Sequence, residues 1–182
     1  MKKVLALILL LPTLAWGASL PINPAGCDNL ESDQYSCTKL VYDLTGSQKG
    51  QDDVRSCPDD RTYGFSCKFQ WPTSNPAQVT PVIFWNTGTD GGLGAVCWEV
   101  AIGCVSTAQE YNTFPYGSTV RASSSTGLTS TTMTPSALGS VTPYQGASNA
   151  VCRMKVYRRY GQVGCTNTLI GAARPLWIQL NY

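Results

Sequence analysis

The sequence contains no histidine. That absence removes Ser-His-Asp and Cys-His nucleophile systems and every His-ligated metal site, so any chemistry must rest on carboxylates, thiols or aromatic rings. From Arg61 onward the carboxylates are Asp90, Glu99 and Glu110, and a pair flanking a glycosidic bond is what sugar hydrolysis requires. Glu99 is the best placed, on a strand beside Trp98, but the position better suits an outward-facing cross-strand partner of Arg153 or Lys155. Asp52-Asp53 and Asp59-Asp60 offer oxygen ligands without the spacing of a calcium loop, and read as solvated loop acids. The stretch Asn86 to Gly94 is rich in glycine but lacks the lysine and following helix of a phosphate site, so it reads as a hairpin loop. No cofactor or metal is implied. Tyr111, Phe114 and Tyr116, punctuated by Asn112 and Pro115, fall in a loop-forming stretch. Rings exposed there can stack on sugar faces or anchor a protein, which makes these three the expected ligand-binding residues; the alternative is that they cap the core.

The frame that positions such residues must be held together, and the cysteines say how. Cys27, Cys37, Cys57, Cys67, Cys97, Cys104, Cys152 and Cys165 form an even set with no Cys-x-x-Cys pair, which reads as four disulfides rather than a zinc site. Eight cysteines allow about 105 pairings. Spacing favours Cys27–Cys37 and Cys57–Cys67, each pair closing a short polar loop. Strand alternation places Cys104 beside Cys152 and Cys97 near the turn that carries Cys165, which favours Cys104–Cys152 and Cys97–Cys165.

The oxidising compartment that disulfides need is also written at the start of the chain. Met1-Lys2-Lys3, the apolar run Val4 to Leu11 and the small residues Ala15 and Gly17 have the order of a secretory signal, so residues 1–17 are expected to be removed and the mature chain to begin at Ala18. The apolar run falls short of the ~18 residues of a membrane span, and no later segment is apolar enough for one. The expected location is secreted or periplasmic. Without Lys2 and Lys3 the chain has 11 basic and 11 acidic residues. Neutrality argues against a nucleic-acid binder, which needs a basic surface. The charges are nonetheless segregated: residues 18–60 are acidic by about five charges and the remainder basic by the same amount. That asymmetry invites the acidic segment to lie on its own basic body, or to dock on a neighbouring copy.

Residues 18–62 are polar and turn-rich, with one strand candidate, Thr38 to Leu44, and read as an acidic, disulfide-stapled extension or small subdomain. Residues 63–182 carry strand candidates at Phe65 to Trp71, Pro81 to Trp85, Val96 to Val105, Val151 to Arg158 and Pro175 to Tyr182. The Ser/Thr/Gly-rich tract between Gly117 and Thr142 reads as two edge-type strands joined by a turn. No segment sustains a helical period. Short strands separated by Gly/Pro-rich turns predict an all-β chain folded as an antiparallel β-sandwich of jelly-roll type.

The succession Phe69-x-Trp71-Pro72, Val82-Ile83-Phe84-Trp85, Val96-x-Trp98-Glu99-Val100, Met154-x-Val156-Tyr157-Arg158 and the closing strand Leu176 to Tyr182 resembles the jelly-roll β-sandwich domains of phage virion appendages and related exported bacterial proteins. The resemblance covers about residues 65–182. It implies a sandwich fold and a structural or adhesive role, with no catalytic residue among the matching positions. The first expectation is therefore an exported, non-enzymatic structural or adhesive protein that associates with copies of itself or with a cell surface. A lectin-like carbohydrate-binding module is the alternative, and a glycan-active hydrolase comes third.

Overall fold

A computed structural model describes residues 17–30, 35–43, 51–87, 94–105, 119–126 and 134–182. Among them the elements are strands β1 (Ser19–Ile22), β2 (Asp28–Asn29), β3 (Thr38–Asp43), β4 (Gln51–Ser56), β5 (Tyr63–Gln70), β6 (Thr80–Asn86), β7 (Gly94–Val105), β8 (Thr119–Thr126), β9 (Thr134–Ala137), β10 (Val151–Arg159) and β11 (Arg174–Asn181), with a 3-10 turn at Pro24–Gly26. The strands form a four-stranded sheet ordered β1-β11-β6-β9, a five-stranded sheet ordered β2-β5-β10-β7-β8, and a separate β3–β4 pair. Every strand pairing is antiparallel. From β5 onward each connection except β7–β8 crosses from one large sheet to the other, which is the winding of a jelly-roll sandwich. The two strands expected in the Ser/Thr-rich tract are β8 and β9, and they are edges of different sheets rather than one hairpin. Among the described residues no helix is long and apolar enough to cross a membrane.

Alternation builds the core. Trp98, Val100, Ile102 and Cys104 of β7 and Cys152, Met154 and Val156 of β10 are fully buried, facing Ile83 and Trp85 of β6 and Ile178 and Leu180 of β11. Trp85 and Trp98 meet edge to face across the sheets, ring centroids 5.9 Å apart. The Trp85 indole N–H donates to Ser136 Oγ at 2.6 Å, so this large ring is buried without an unpaired donor.

The segment expected to be an acidic extension or small subdomain contributes a strand to each large sheet. β1 pairs with β11, Leu20 opposite Leu180 and Ile22 opposite Ile178, and β2 pairs with β5. Lys68 Nζ of β5 lies 3.1 Å from Asp28 Oδ2, so part of the charge segregation is used inside the chain.

Strand register also settles the cysteines, and it overturns two expected pairings. Cys27 immediately precedes Asp28, which faces Ser66, so its neighbour is Cys67; Cys37 immediately precedes Thr38, which faces Ser56, so its neighbour is Cys57. The bonds are Cys27–Cys67 and Cys37–Cys57, both with Cα atoms 4.4 Å apart, in place of Cys27–Cys37 and Cys57–Cys67. Sequence spacing measures loop length, whereas a cross-strand disulfide follows pairing. Cys104 faces Cys152 directly in the β7–β10 register and is bonded to it, and Cys97 is bonded to Cys165.

Two of the buried arginines complete the frame. Arg158, on the inner face of β10 and without solvent exposure, donates to the carbonyls of Cys57 (2.8 Å), Leu169 (2.7 Å) and Gly171 (2.5 Å) and to Asn167 Oδ1 (3.1 Å). Burial pushes its pKa down to about 10, which leaves it charged at neutral pH. Arg55 does the same for the N-terminal segment, donating to the carbonyls of Pro24, Cys27 and Cys37 and to Asn29 Oδ1. Gly94 permits a further close approach: a Cβ there would stand 2.5 Å from Leu169 Cα, where the carbonyl of Ala95 accepts from the N–H groups of Thr168 and Leu169.

Two outcomes are expected. Replacing Arg158 by Met should take the guanidinium donors from the Leu169 and Gly171 carbonyls, while the Cys57 carbonyl keeps the Ala173 N–H, at about 1–3 kcal/mol for each fully unpaired group. Even partial re-pairing should leave a loss of about 3 kcal/mol, or roughly 6–12 °C in Tm, by thermal circular dichroism; an unchanged Tm would contradict the role. In a non-reducing tryptic digest, cleavage after Lys39, Arg55, Arg61 and Lys68 should leave the peptide holding Cys27 and Cys37 joined to both the Cys57 and the Cys67 peptides. The spacing-based pairing would instead leave that peptide closed on itself.

Candidate functional site

The last strand positions the most distinctive surface. Between Pro175 and Trp177 the β11–β6 register shifts, so Pro175 opposes Trp85, Trp177 opposes Phe84, and Leu176 is the extra residue. A bulge of this kind re-aims side chains. Pro175 stays buried, Leu176 and Trp177 both turn away from the core, and Ile178 and Leu180 return to it. Trp177 is left 39% exposed on the outer face of the four-stranded sheet.

Around Trp177 the outward positions form short rows across the strands. Trp177, Phe84 and Pro135 make one; Pro21, Gln179, Val82 and Ala137 make the next; Ser19, Asn181 and Thr80 follow. Phe84, Leu176, Trp177 and Gln179 line an open depression of about 390 Å³. An indole beside a phenyl ring, with a primary amide within one row, can stack on the C–H face of a pyranose while the amide exchanges hydrogen bonds with its hydroxyls. Sequence reasoning passed over this site, although Gln179 and Asn181 share the parity of Trp177 and mark its face as the polar one.

The residues singled out from the sequence are distributed differently. Tyr111, Phe114 and Tyr116 lie outside the described residues, as do Asp90 and Glu110. Glu99 is on the outer face of the five-stranded sheet as expected, yet only 2% exposed. Its carboxylate accepts from Arg159 Nη2, a partner beyond the expected Arg153 or Lys155. In the register Tyr157 stands opposite Glu99, so Arg159 and Lys155 each lie one row from it and Arg153, opposite Gly103, lies two rows away. Asp59 accepts from the Gly171 N–H at 2.8 Å, and among the described residues no group of three or more Cys, Asp or Glu could hold a metal.

A second cluster gathers where β5 begins. Tyr35 and Tyr63 have ring centroids 5.8 Å apart at 52°, the Arg61 guanidinium lies 4.3 Å over the Tyr35 ring, and Arg61 Nε donates to Asp60 Oδ2 at 3.1 Å. A hydrogen bond from the Tyr63 hydroxyl, together with Arg61, holds the Asp60 carboxyl below the usual carboxylate range.

No protein family matches the sequence, and no characterised protein is similar to it in sequence. Among solved structures, the chain is similar to a cycloisomaltooligosaccharide glucanotransferase of a Paenibacillus species, complexed with cycloisomaltoheptaose, with a TM-score of 0.50 and 6% identity over 91% of this chain and 18% of that one. An Arthrobacter globiformis isomalto-dextranase complexed with panose gives 0.41 and 12% over 91% and 33%. Carbohydrate-binding modules of the β-sandwich superfamily give 0.36 and 6% over 93% and 56%. The chain thus spans well under two thirds of each of these. The likeness is one of fold: the protein is an antiparallel β-sandwich, and the resemblance to phage appendages is not shown.

A carboxylate with a depressed pKa contributes stability above its ordinary value and loses it as pH falls through the lowered one. Acid titration followed by the Tyr63 ring resonances should therefore show the Tyr63–Asp60 hydrogen bond breaking only below the ordinary Asp value of 3.8. Asp60→Asn should remove that transition, and a midpoint above 3.8 would contradict the arrangement.

Proposed function

We propose that this protein is an exported carbohydrate-binding module that holds sugars on the outer face of its four-stranded sheet. The observation that carries the reading is Trp177, exposed on a regular strand, directly opposite Phe84 and one row from Gln179. Exposed indoles on rigid strands are poor choices for solubility and good ones for stacking on sugar rings. Gln179 has no protein hydrogen-bond partner among the described residues, so its amide is available to ligand hydroxyls. Support of a coarser kind comes from the similar Paenibacillus enzyme, whose structure holds a cyclic oligosaccharide. Four disulfides and the signal-like N-terminus fit an extracytoplasmic site of action.

Binding should be measured by calorimetry and by depletion onto insoluble polysaccharide, using cycloisomaltoheptaose together with gluco-, manno- and xylo-oligosaccharides. Trp177→Ala should lower affinity for the best ligand at least tenfold, about 1.4 kcal/mol, and Gln179→Ala by less, while Tm moves by only a few degrees because the side chain faces outward. Unchanged affinity in Trp177→Ala would overturn the reading.

A further inference from the structure

We infer that the corner formed by Tyr35, Asp60, Arg61 and Tyr63 is a second glycan-contact site, selective for uncharged sugars; the inference rests on the carbohydrate-binding reading and adds a site that shares no residue with the sheet face. The corner sits where β5 begins, on the sheet opposite the Trp177 face. It is open to solvent: Tyr35 is 55% exposed, and the side chains of Arg61 and Asp60 are 46% and 53% exposed. It is also fixed. Gly64 N–H donates to the Tyr35 carbonyl at 3.0 Å, Cys37 N–H to the Gly64 carbonyl at 2.8 Å, and the Cys37–Cys57 bond closes the same segments.

Those backbone and covalent ties already hold the segments, and an exposed ion pair adds little to stability. Tyr63 packs against the core, so the exposed Tyr35 ring and the ion pair are the parts of the corner that add least to the fold. Together they make a preorganised surface of the kind sugars require: tyrosine edges and faces for C–H groups, a carboxylate with unused lone pairs for adjacent hydroxyls, and a guanidinium with unused N–H donors. Asp60 and Arg61 cancel in charge, so neither an acidic nor a basic glycan gains from the site. Two sites on one rigid body make binding to a polymer bivalent, so affinity for a long chain should exceed affinity for a short one without any new interaction.

The test compares wild type, Trp177→Ala, Tyr35→Ala, Asp60→Asn and the double variants against neutral hexasaccharides, the parent polysaccharide and polygalacturonate, with Tm as the folding control. Trp177→Ala should retain weak saturable binding of a neutral hexasaccharide. Adding Tyr35→Ala should abolish it, and adding Asp60→Asn, which preserves shape, should weaken it at least fivefold. On polysaccharide, Tyr35→Ala alone should lower affinity at least tenfold. Polygalacturonate should not bind. Identical isotherms for Trp177→Ala and Trp177→Ala with Tyr35→Ala would overturn the corner while leaving the sheet face standing. Binding abolished by Tyr35→Ala but indifferent to Trp177→Ala would overturn the sheet face and leave the corner. No binding of any glycan by wild type would overturn both.

Discussion

Guanidinium groups buried among main-chain carbonyls are the interaction on which the irregular parts of this sandwich depend. A β-sandwich satisfies its strand backbones by ladder bonds, but carbonyls of connecting segments drawn into the body draw on further donors. Arg158 supplies donors to Cys57, Leu169 and Gly171, and Arg55 supplies them to Pro24, Cys27 and Cys37. Each offers five N–H groups in a planar fork, which no other side chain can match. Desolvation lowers both pKa values, with Asp28 partly offsetting it at Arg55 and Asp59 at Arg158, and Arg158 stays protonated at neutral pH.

The disulfides act on the same segments from the covalent side. Cys57 is at once bonded to Cys37, paired through its backbone to Ala173, and an acceptor for Arg158. One residue thus ties the N-terminal part, the approach to β11 and the inner face of β10 together. Disulfide reduction should be felt at the bulge that turns Trp177 outward, since β11 begins one residue after Ala173.

Much of the sandwich was legible because its strands alternate. β5, β6, β7, β10 and β11 were visible as runs whose apolar parity matched a half-buried face, and their bounds in the structure differ by only a residue or two at either end. β1, β2 and β4 were not. Ser19–Ile22 and Asp28–Asn29 are too short to show a period, and Gln51–Ser56 is too polar; pairing with a longer partner makes them strands. The nested disulfides were hidden for the same reason, because without β2 and β4 there was no register to place Cys27 against Cys67 or Cys37 against Cys57. The sheet-face site was half legible. The parity of Trp177, Gln179 and Asn181 was there to read, but that Phe84 is its neighbour follows from a non-local pairing and a register shift no local pattern announces. The loop aromatics stood out instead, on the sound rule that loops carry function.

The form of the four-stranded sheet bears on how such a protein meets its partner. Its two edge strands each carry a proline, Pro21 on β1 and Pro135 on β9, and a proline removes an edge donor that could recruit another chain. Edge pairing between copies, the commonest route by which an exposed sheet becomes an assembly, is thereby discouraged on this sheet. The prolines instead continue the flat row of outward residues on either side of β11 and β6, Pro135 beside Phe84 and Pro21 beside Gln179. A sheet that blunts its edges and exposes an indole on its outer face suits the proposed ligand, an extended sugar chain laid across the strands.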